Sequence, residues 1–493
     1  MSSATLTACA ELLSMRPGVF SATGPNGDLY LATWRHAESL GQLSAGVHTV
    51  LRCLADPERE HTHAELVAIA EEQDGDLGAD GVARLLDQVR AAGWLRITVS
   101  YQGRALYTLE SLRPPPPPPQ EVAVESSLVL SRFALLRRDD EGLLLESPRA
   151  WCDIRVHDPA VVSILGGLAD PRAGAPPESL PARARQRVIH DLCWAQMAVP
   201  TPNTEDTEFR LRQWSPHELW FHARSRMGPH AGSGDNYAGT FWAKGRFDPL
   251  PARPEPFAGP ALDLYRPDLQ ALRRTDPTLT TVLEDRRTIR TGDENNPITA
   301  QQLGEFLHRC ARIRGTIVDD GVEYTSRPYP SGGGVYELEV YPLVRHAADL
   351  EPGLYHYDSH EHQLRLVRQA SHPAVRRLLR SNMPLGRPPQ ILMVISARVG
   401  RIMWKYEAMA YALFLKHAGV LYQTMYCVAT AMGLAPCGLG AGDAEAFTQA
   451  TGRDPLEECG VAEFALSSRP LEVPPDEFAM SIRPPQAPPK QTP

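Results

Sequence analysis

Four short runs in this chain bring together groups able to hold an anion, a flat ring or a proton. The first, Arg286-Arg287-Thr288-Ile289-Arg290, packs three guanidiniums and a hydroxyl into five residues. Guanidinium presents a planar fork of donors that matches phosphate oxygens, so the run can serve as a phosphomonoester clamp. A solvated basic turn paired with Glu284 and Asp285 would contain the same residues. The second run, Arg327-Pro328-Tyr329-Pro330-Ser331-Gly332-Gly333-Gly334-Val335-Tyr336, places three glycines in a row. Backbone without side chains can approach a ring closely and offer amide hydrogens to its heteroatoms, although a plain flexible loop would look alike. The third, Pro436 to Asp443, has a GxGxG form. The preceding residues, Val428 to Leu434, have helical spacing, and without a strand there the dinucleotide-binding reading is rejected. The fourth is Lys405-Tyr406, followed by Glu407. An ammonium beside a phenol favours phenolate and draws its pKa towards the range of a working base. A surface lysine next to a packing tyrosine is the plainer alternative.

These runs need elements to carry them. Thr299 to Arg312 has helical spacing, Val335 to Val344 and Gly353 to Tyr357 read as strands, and Gln390 to Ala397 suits a buried strand. A long helix is expected over Trp404 to Met432, with Lys405 and Tyr406 at its start, and a last strand over Glu463 to Leu466. The layout is α+β. Upstream, Val47, Val50, Leu51 and Leu54, then Ala64 to Glu72, then Val82, Leu85, Leu86 and Val89 predict three helices. A hairpin of Ile97 to Tyr101 and Ala105 to Leu109 follows around Gln102-Gly103-Arg104. That order is winged-helix-like.

Six prolines, Pro114 to Pro119, predict an extended spacer. The expected organisation is therefore a winged-helix-like module over 1–113 and a linker over 114–126. A second, degenerate module over 127–200 is read from a strand pair around Asp139-Asp140-Glu141-Gly142 and helical stretches at Val161 to Leu168 and Val188 to Val199. A connector over 201–260 contains one short helix, Glu218 to Arg226. The main domain covers 261–475, and 476–493 is a disordered proline-rich tail.

The 493 residues exceed one ordinary core, and a composition 43% hydrophobic and 22% charged is that of folded domains. With 59 acidic against 50 basic residues, the net charge of -9 repels nucleic acid. The eight cysteines are scattered without metal-ligand spacing and read as thiols of a reducing compartment. Met1 to Gly18 lacks the charged n-region of a secretory signal. The apolar stretch Met403 to Leu434 is interrupted by Lys405, Glu407, Lys416 and His417, so it reads as a buried helix. A cytoplasmic protein without membrane or nucleic-acid partners is expected.

Taken together, Arg286 to Arg290, RPYPSGGGVYELEVY (Arg327 to Tyr341), EPGLYHYD (Glu351 to Asp358), the stretch from Trp404 to Asp443, and DPLEECGVAEFAL (Asp454 to Leu466) resemble the SagB/McbC-type dehydrogenases, FMN-dependent members of the nitroreductase-like superfamily. The likeness covers about 260–470, and Ser215 to Gly228 resembles the family's connector. It implies a C-terminal nitroreductase-like FMN domain, a mixed sheet flanked by helices, that oxidises peptide azolines to thiazoles or oxazoles. It also implies a cyclodehydratase partner, a precursor-peptide substrate and a homodimer.

By the same resemblance Arg286, Thr288 and Arg290, with Arg287 auxiliary, hold the FMN phosphate and ribityl end. Pro330, Ser331, Gly332 and Gly333 line the ring, Leu439 and Gly440 offer amides near flavin N5, and Arg469 is a further phosphate candidate. Many nitroreductases have an acidic residue where Gly440 stands. Lys405 and Tyr406 match the family's catalytic pair, with Tyr406 expected as base and Lys405 as its tuning neighbour, an assignment that can be exchanged. The N-terminal module then reads as a peptide-binding unit. Other readings are a carrier-bound nonribosomal thiazoline as substrate, an NAD(P)H-dependent nitro or quinone reductase, and a non-catalytic scaffold.

Overall fold

The computed structural model describes residues 9–33, 37–120, 128–170, 180–202, 204–231, 237–381 and 387–472. The expected tail at 476–493 and residues 121–126 of the expected linker lie outside that set. The chain divides between Ala238 and Gly239 into two compact units.

In the first unit, three helices, Ala45–Ala55, His63–Asp74 and Gly78–Ala91, precede the hairpin of Leu95–Tyr101 and Arg104–Ser111, in the order read from the sequence. Thr62 and Glu65 form a reciprocal capping box at the second helix. Gln102 (φ 53°) and Gly103 (φ 77°) make the hairpin turn. The stretches expected as two modules share one six-stranded sheet, in the order Ala10–Met15, Leu95–Tyr101, Arg104–Ser111, Cys152–Val156, Gly142–Glu146, Leu135–Asp139. They also share one core, from Leu13 to Ala198. Cys152–Val156 pairs directly with Arg104–Ser111, so strand pairing bridges the proline run instead of stopping at it. A small three-stranded meander, Phe20–Thr23, Leu29–Ala32 and Ala37–Gly41, had no expectation attached.

The second unit is built on seven strands in the order Ala261–Asp263, Gln363–Gln369, Gly353–Asp358, Leu338–Val344, Ile391–Arg398, Glu458–Ser468, Leu434–Leu439. Every pairing in it is antiparallel, where a mixed sheet was expected. The last strand inserts between Ile391–Arg398 and Leu434–Leu439, so the two strands joined by the long helix lie parallel without touching. Ile391–Arg398 is buried throughout, as its largely apolar run implied. One face packs on the helices Ala300–Ala311 and Ala410–Ala431 through Phe306, Leu307, Phe414, Leu421, Met425 and Phe464. The other packs on Pro373–Arg380 and Ala444–Thr451 through Val375, Leu378 and Phe447.

Two expectations change here. The helix starts at Ala410, after a short turn Val399–Met403 and a break, because Ala408 takes φ 58° and the Lys405 carbonyl accepts a hydrogen bond from Phe241 N–H. Lys405 and Tyr406 therefore stand in a loop. The glycine-rich turn does follow a strand, Leu434–Leu439, and opens the helix Ala444–Thr451. The dinucleotide reading stays excluded on other grounds, since the strand that follows the glycine turn and its helix, Glu458–Ser468, runs antiparallel to Leu434–Leu439 where a dinucleotide fold needs it parallel. Among the described residues, no helix is long and apolar enough to cross a membrane, no group of three or more metal-ligating side chains could hold a metal ion, and all eight cysteines are free thiols.

Candidate active site

The arginine turn follows the helix Leu279–Asp285, capped by Thr278, and is pinned to the sheet where Ile289 N–H donates to the Pro436 carbonyl at 2.9 Å. Ile289 is buried while Arg287 and Arg290 are exposed. Among the described residues no carboxylate pairs with Arg286, Arg287 or Arg290, so the expected alternative of a turn neutralised by Glu284 and Asp285 is not what forms. Arg286 lies over the Tyr426 ring, 5.3 Å from its centroid. Arg290 is close enough to Cys437 to oppose the rise that burial imposes on that thiol.

Tyr426, on the long helix, ties this turn to the third run. Its hydroxyl lies 3.0 Å from Thr288 Oγ1 and accepts the Gly438 N–H at 2.7 Å. One turn earlier, Tyr422 donates to the carbonyls of Leu439 (3.0 Å) and Glu463 (2.7 Å) and accepts from Glu463 N–H (2.8 Å). Leu439 and Glu463 are partners across the edge pair. Beyond Leu439, Gly440 is exposed and faces open space. The Leu439–Gly442 turn lines a cavity of about 140 Å³ together with Glu463. The Glu463 carboxyl packs directly against the Gly442 Cα. Burial, with Asp443 adding to it, pushes that carboxyl up to about 7.

The same helix holds the second run. Gly332 N–H donates to His417 Nε2 at 2.8 Å, so the ring proton sits on Nδ1, which donates to Glu337 Oε1 at 2.7 Å. Glu337 is fully buried, and its other oxygen accepts from Ser331 Oγ at 3.4 Å. The buried Arg401 guanidinium donates to the Val335 carbonyl through Nε (3.0 Å) and Nη2 (2.6 Å), closing the loop from its far side. Gly333 takes φ 68°. A Cβ there would lie 2.6 Å from Tyr406 Oη and 2.9 Å from Lys405 Nζ, so the pair converges on this glycine.

Around Lys405 Nζ stand three rings, Phe241, Tyr324 and Tyr406, with centroids at 5.0, 5.4 and 5.5 Å. Burial lowers the lysine from its ordinary value. The Tyr406 phenol moves up, through burial first and Tyr324 second. This corrects the expectation that the ammonium would draw the phenol down. Low polarity around both groups favours their neutral forms, an amine that can accept a proton and a phenol that can donate one.

Thus Thr288 and Arg286 share Tyr426 with Gly438, and Arg290 stands near Cys437, while Gly333, in the loop that His417 and Glu337 fix, meets Lys405 and Tyr406. Both clusters hang from one helix, with His417 and Tyr426 about 14 Å apart along its axis. For Arg287, Pro330 and Arg469 no contact with the other expected site residues is found among the described residues. The sequence reading missed Tyr422, Tyr426, His417, Glu337, Glu463, Tyr324 and Phe241. Of these only Tyr324 had a local signal, the Asp320-Gly321 turn of the hairpin Gly315–Asp319 and Val322–Ser326.

Residues 283–462 match the nitroreductase family, and residues 128–231 match the cyanobactin oxidase ThcOx. A nitroreductase-like protein of Methanocaldococcus jannaschii is 24% identical over 185 residues, 37% of this chain and 86% of that protein. A nitroreductase-like structure from Anabaena variabilis is 23% identical with a TM-score of 0.36, over 50% of this chain, and this chain spans 45% of its length. A chain of the Escherichia coli microcin synthetase McbBCD complex, solved with truncated pro-microcin B17 bound, is 19% identical with a TM-score of 0.31, over 47% of this chain and 91% of that one. The chain thus matches the nitroreductase family over 283–462 and, upstream of it, the cyanobactin oxidase ThcOx over 128–231, consistent with its resemblance to the SagB/McbC-type nitroreductase-like proteins.

Proposed function

We propose that the chain is an FMN-dependent dehydrogenase that oxidises peptide thiazolines or oxazolines to thiazoles or oxazoles in ribosomal peptide natural-product biosynthesis. The observation that carries this reading is the convergence of Lys405 Nζ and Tyr406 Oη on Gly333, in a loop fixed to the helix that also anchors the arginine turn. The donor set suits FMN: guanidiniums without carboxylate partners, a hydroxyl at Thr288, and a glycine turn whose Gly440 faces open space. Arg286, Thr288 and Arg290 would hold the phosphate end, Ser331, Gly332 and Gly333 the ring, and Leu439 and Gly440 its reactive nitrogen. When bound, the flavin supplies a hydride acceptor.

Aromatising an azoline removes a ring proton together with a hydride, so the chain's own task is to take that proton. Lys405 is the better base, because burial favours its neutral amine, and Tyr406 is the better hydrogen-bond donor, because burial favours its neutral phenol. Phe241, Tyr324 and the buried Arg401 lock keep the loop in place and restrict water. The family matches support an oxidase of this kind.

We extend the proposal to a homodimer, to a cyclodehydratase partner, and to a precursor peptide held as an added strand along the Leu135–Asp139 edge of the six-stranded sheet. Exposed Tyr411 and Leu415 on the long helix, with exposed Leu279 and Leu283 on the helix packed beside it, support the dimer. Eight free thiols support a cytoplasmic setting. The test is an azoline-bearing peptide offered to Lys405→Ala and Tyr406→Phe variants that keep a wild-type flavin spectrum. Loss of azole formation in Lys405→Ala is expected, and unchanged turnover in both variants discards the assignment.

A further inference from the structure

One strap of chain closes over Lys405 from outside the four runs, and it holds that residue at both ends. Phe241 N–H donates to the Lys405 carbonyl at 3.0 Å, while the Phe241 ring lies 5.0 Å from the same residue's Nζ. On either side, Thr240 Oγ1 donates to Glu407 Oε2 at 2.6 Å, and Trp242 Nε1 donates to the Met403 carbonyl. Lys244 N–H returns to the Phe241 carbonyl at 2.9 Å. Phe241 takes φ 54°, a left-handed conformation that a bulky side chain adopts only where its surroundings enforce it, and such positions cluster at functional sites. The Phe241 and Trp404 rings pack edge to face, at 6.1 Å and 90°.

We propose that Phe241 is a positioning residue for Lys405: its ring presses the amine against Tyr324 and Tyr406, aims it at Gly333, and keeps water off it. This rests on the reading of Lys405 as the base and adds the group that sets its protonation. The titratable groups around the amine come from three elements. Tyr324 stands on the Val322–Ser326 strand and Tyr406 on the loop itself. Glu407 is turned to Thr240, and Lys244 at the end of the strap is turned to Asp320. None of these sets a full negative charge against Nζ, so exclusion of water governs the lysine, in line with burial as the cause of its lowered value. The ring face favours the ammonium and opposes part of this effect.

The chain has only four lysines, Lys244, Lys405, Lys416 and Lys490. Their side-chain resonances can be followed in a pH titration of the full-length protein labelled at lysine Cε, with Lys405 assigned by Lys405→Arg. Wild-type Lys405 is expected to titrate below the ordinary lysine value. Phe241→Ala admits water and should raise it towards the ordinary lysine value. Phe241→Leu keeps an apolar cover but loses the ring face, and should hold it at or below the wild-type position. Unmoved Lys244 and Lys416 resonances report an intact fold. A Lys405 titration that is the same in Phe241→Ala and wild type overturns the proposal. The readout is independent of turnover: if Lys405→Ala still forms azoles, the assignment of the base falls while the titration still judges the strap.

Discussion

Replacing Glu463 by glutamine should change how the second unit's stability depends on pH. Glu463 sends its carboxyl from the strand Glu458–Ser468 against the turn that precedes Ala444–Thr451, is 6% exposed, and among the described residues has no side-chain partner beyond its contact with Gly442. Burial, and then Asp443, raise it from 4.5 to about 7. Asp443 is itself held by Arg377 through bonds of 2.6 and 3.0 Å and caps the following helix. Because the folded value lies above the unfolded one, the folded state keeps its proton after the unfolded chain has released it. Stability is therefore untouched below about 4.5, declines as pH rises towards 7, and stays reduced above it. The interval corresponds to roughly 3 kcal/mol at most, at about 1.4 kcal/mol per unit. Glu463→Gln keeps the shape and removes the titration. Its stability should match wild type at pH 4.5 and exceed it by up to roughly 3 kcal/mol at pH 8, several degrees in the thermal midpoint of a unit this size. The assay is thermal and denaturant unfolding at pH 4.5, 6 and 8 on both proteins. Parallel stability curves across that range would refute the reasoning.

Gly333→Ala should cost about 1 kcal/mol of stability, since φ 68° disfavours a side chain, but should lower azoline oxidation far more, because its Cβ displaces Tyr406 Oη and Lys405 Nζ; unfolding and turnover measured on one preparation check both. Tyr426→Phe leaves the Gly438 amide and Thr288 without their shared partner and should cost about 1 to 3 kcal/mol while weakening FMN binding, read by flavin fluorescence titration; an unchanged affinity would separate the arginine turn from the cofactor. Turnover should rise with pH as the Lys405 amine loses its proton, with a midpoint below that of a free lysine, and this rising limb should vanish in Lys405→Ala; a pH-rate profile on peptide substrate decides it.

Much of the C-terminal unit was legible because its signals are local. The apolar run Gln390 to Ala397 suited a buried strand and the spacing of Thr299 to Arg312 suited a helix, and Ile391–Arg398 and Ala300–Ala311 form them. Three of the chemistry-bearing runs stood out by residue type, as guanidiniums, bare glycines and a lysine beside a tyrosine, yet each taken alone fitted a plainer alternative equally well. What sequence could not give was company. The helix was expected to begin at Trp404 because the apolar pattern runs through it, yet a strap more than 160 residues upstream takes the Lys405 carbonyl. Tyr406 was expected to be drawn down by its sequence neighbour, but burial and Tyr324, from a hairpin some 80 residues earlier, move it the other way. The proline run looked like a boundary because proline cannot enter a central strand, and the pairing of Cys152–Val156 with Arg104–Ser111 across it depends on partners no local pattern records.

The central claim is that the arginine turn and the two glycine turns hold one flavin. The most direct measurement is the visible absorption and FMN content of the purified full-length protein beside an Arg286→Ala, Arg290→Ala double variant. The account predicts yellow wild-type protein with about one FMN per chain, and a variant that is folded but largely colourless. A folded wild-type protein that neither carries nor takes up FMN, or a variant that binds it as well as wild type, would contradict it.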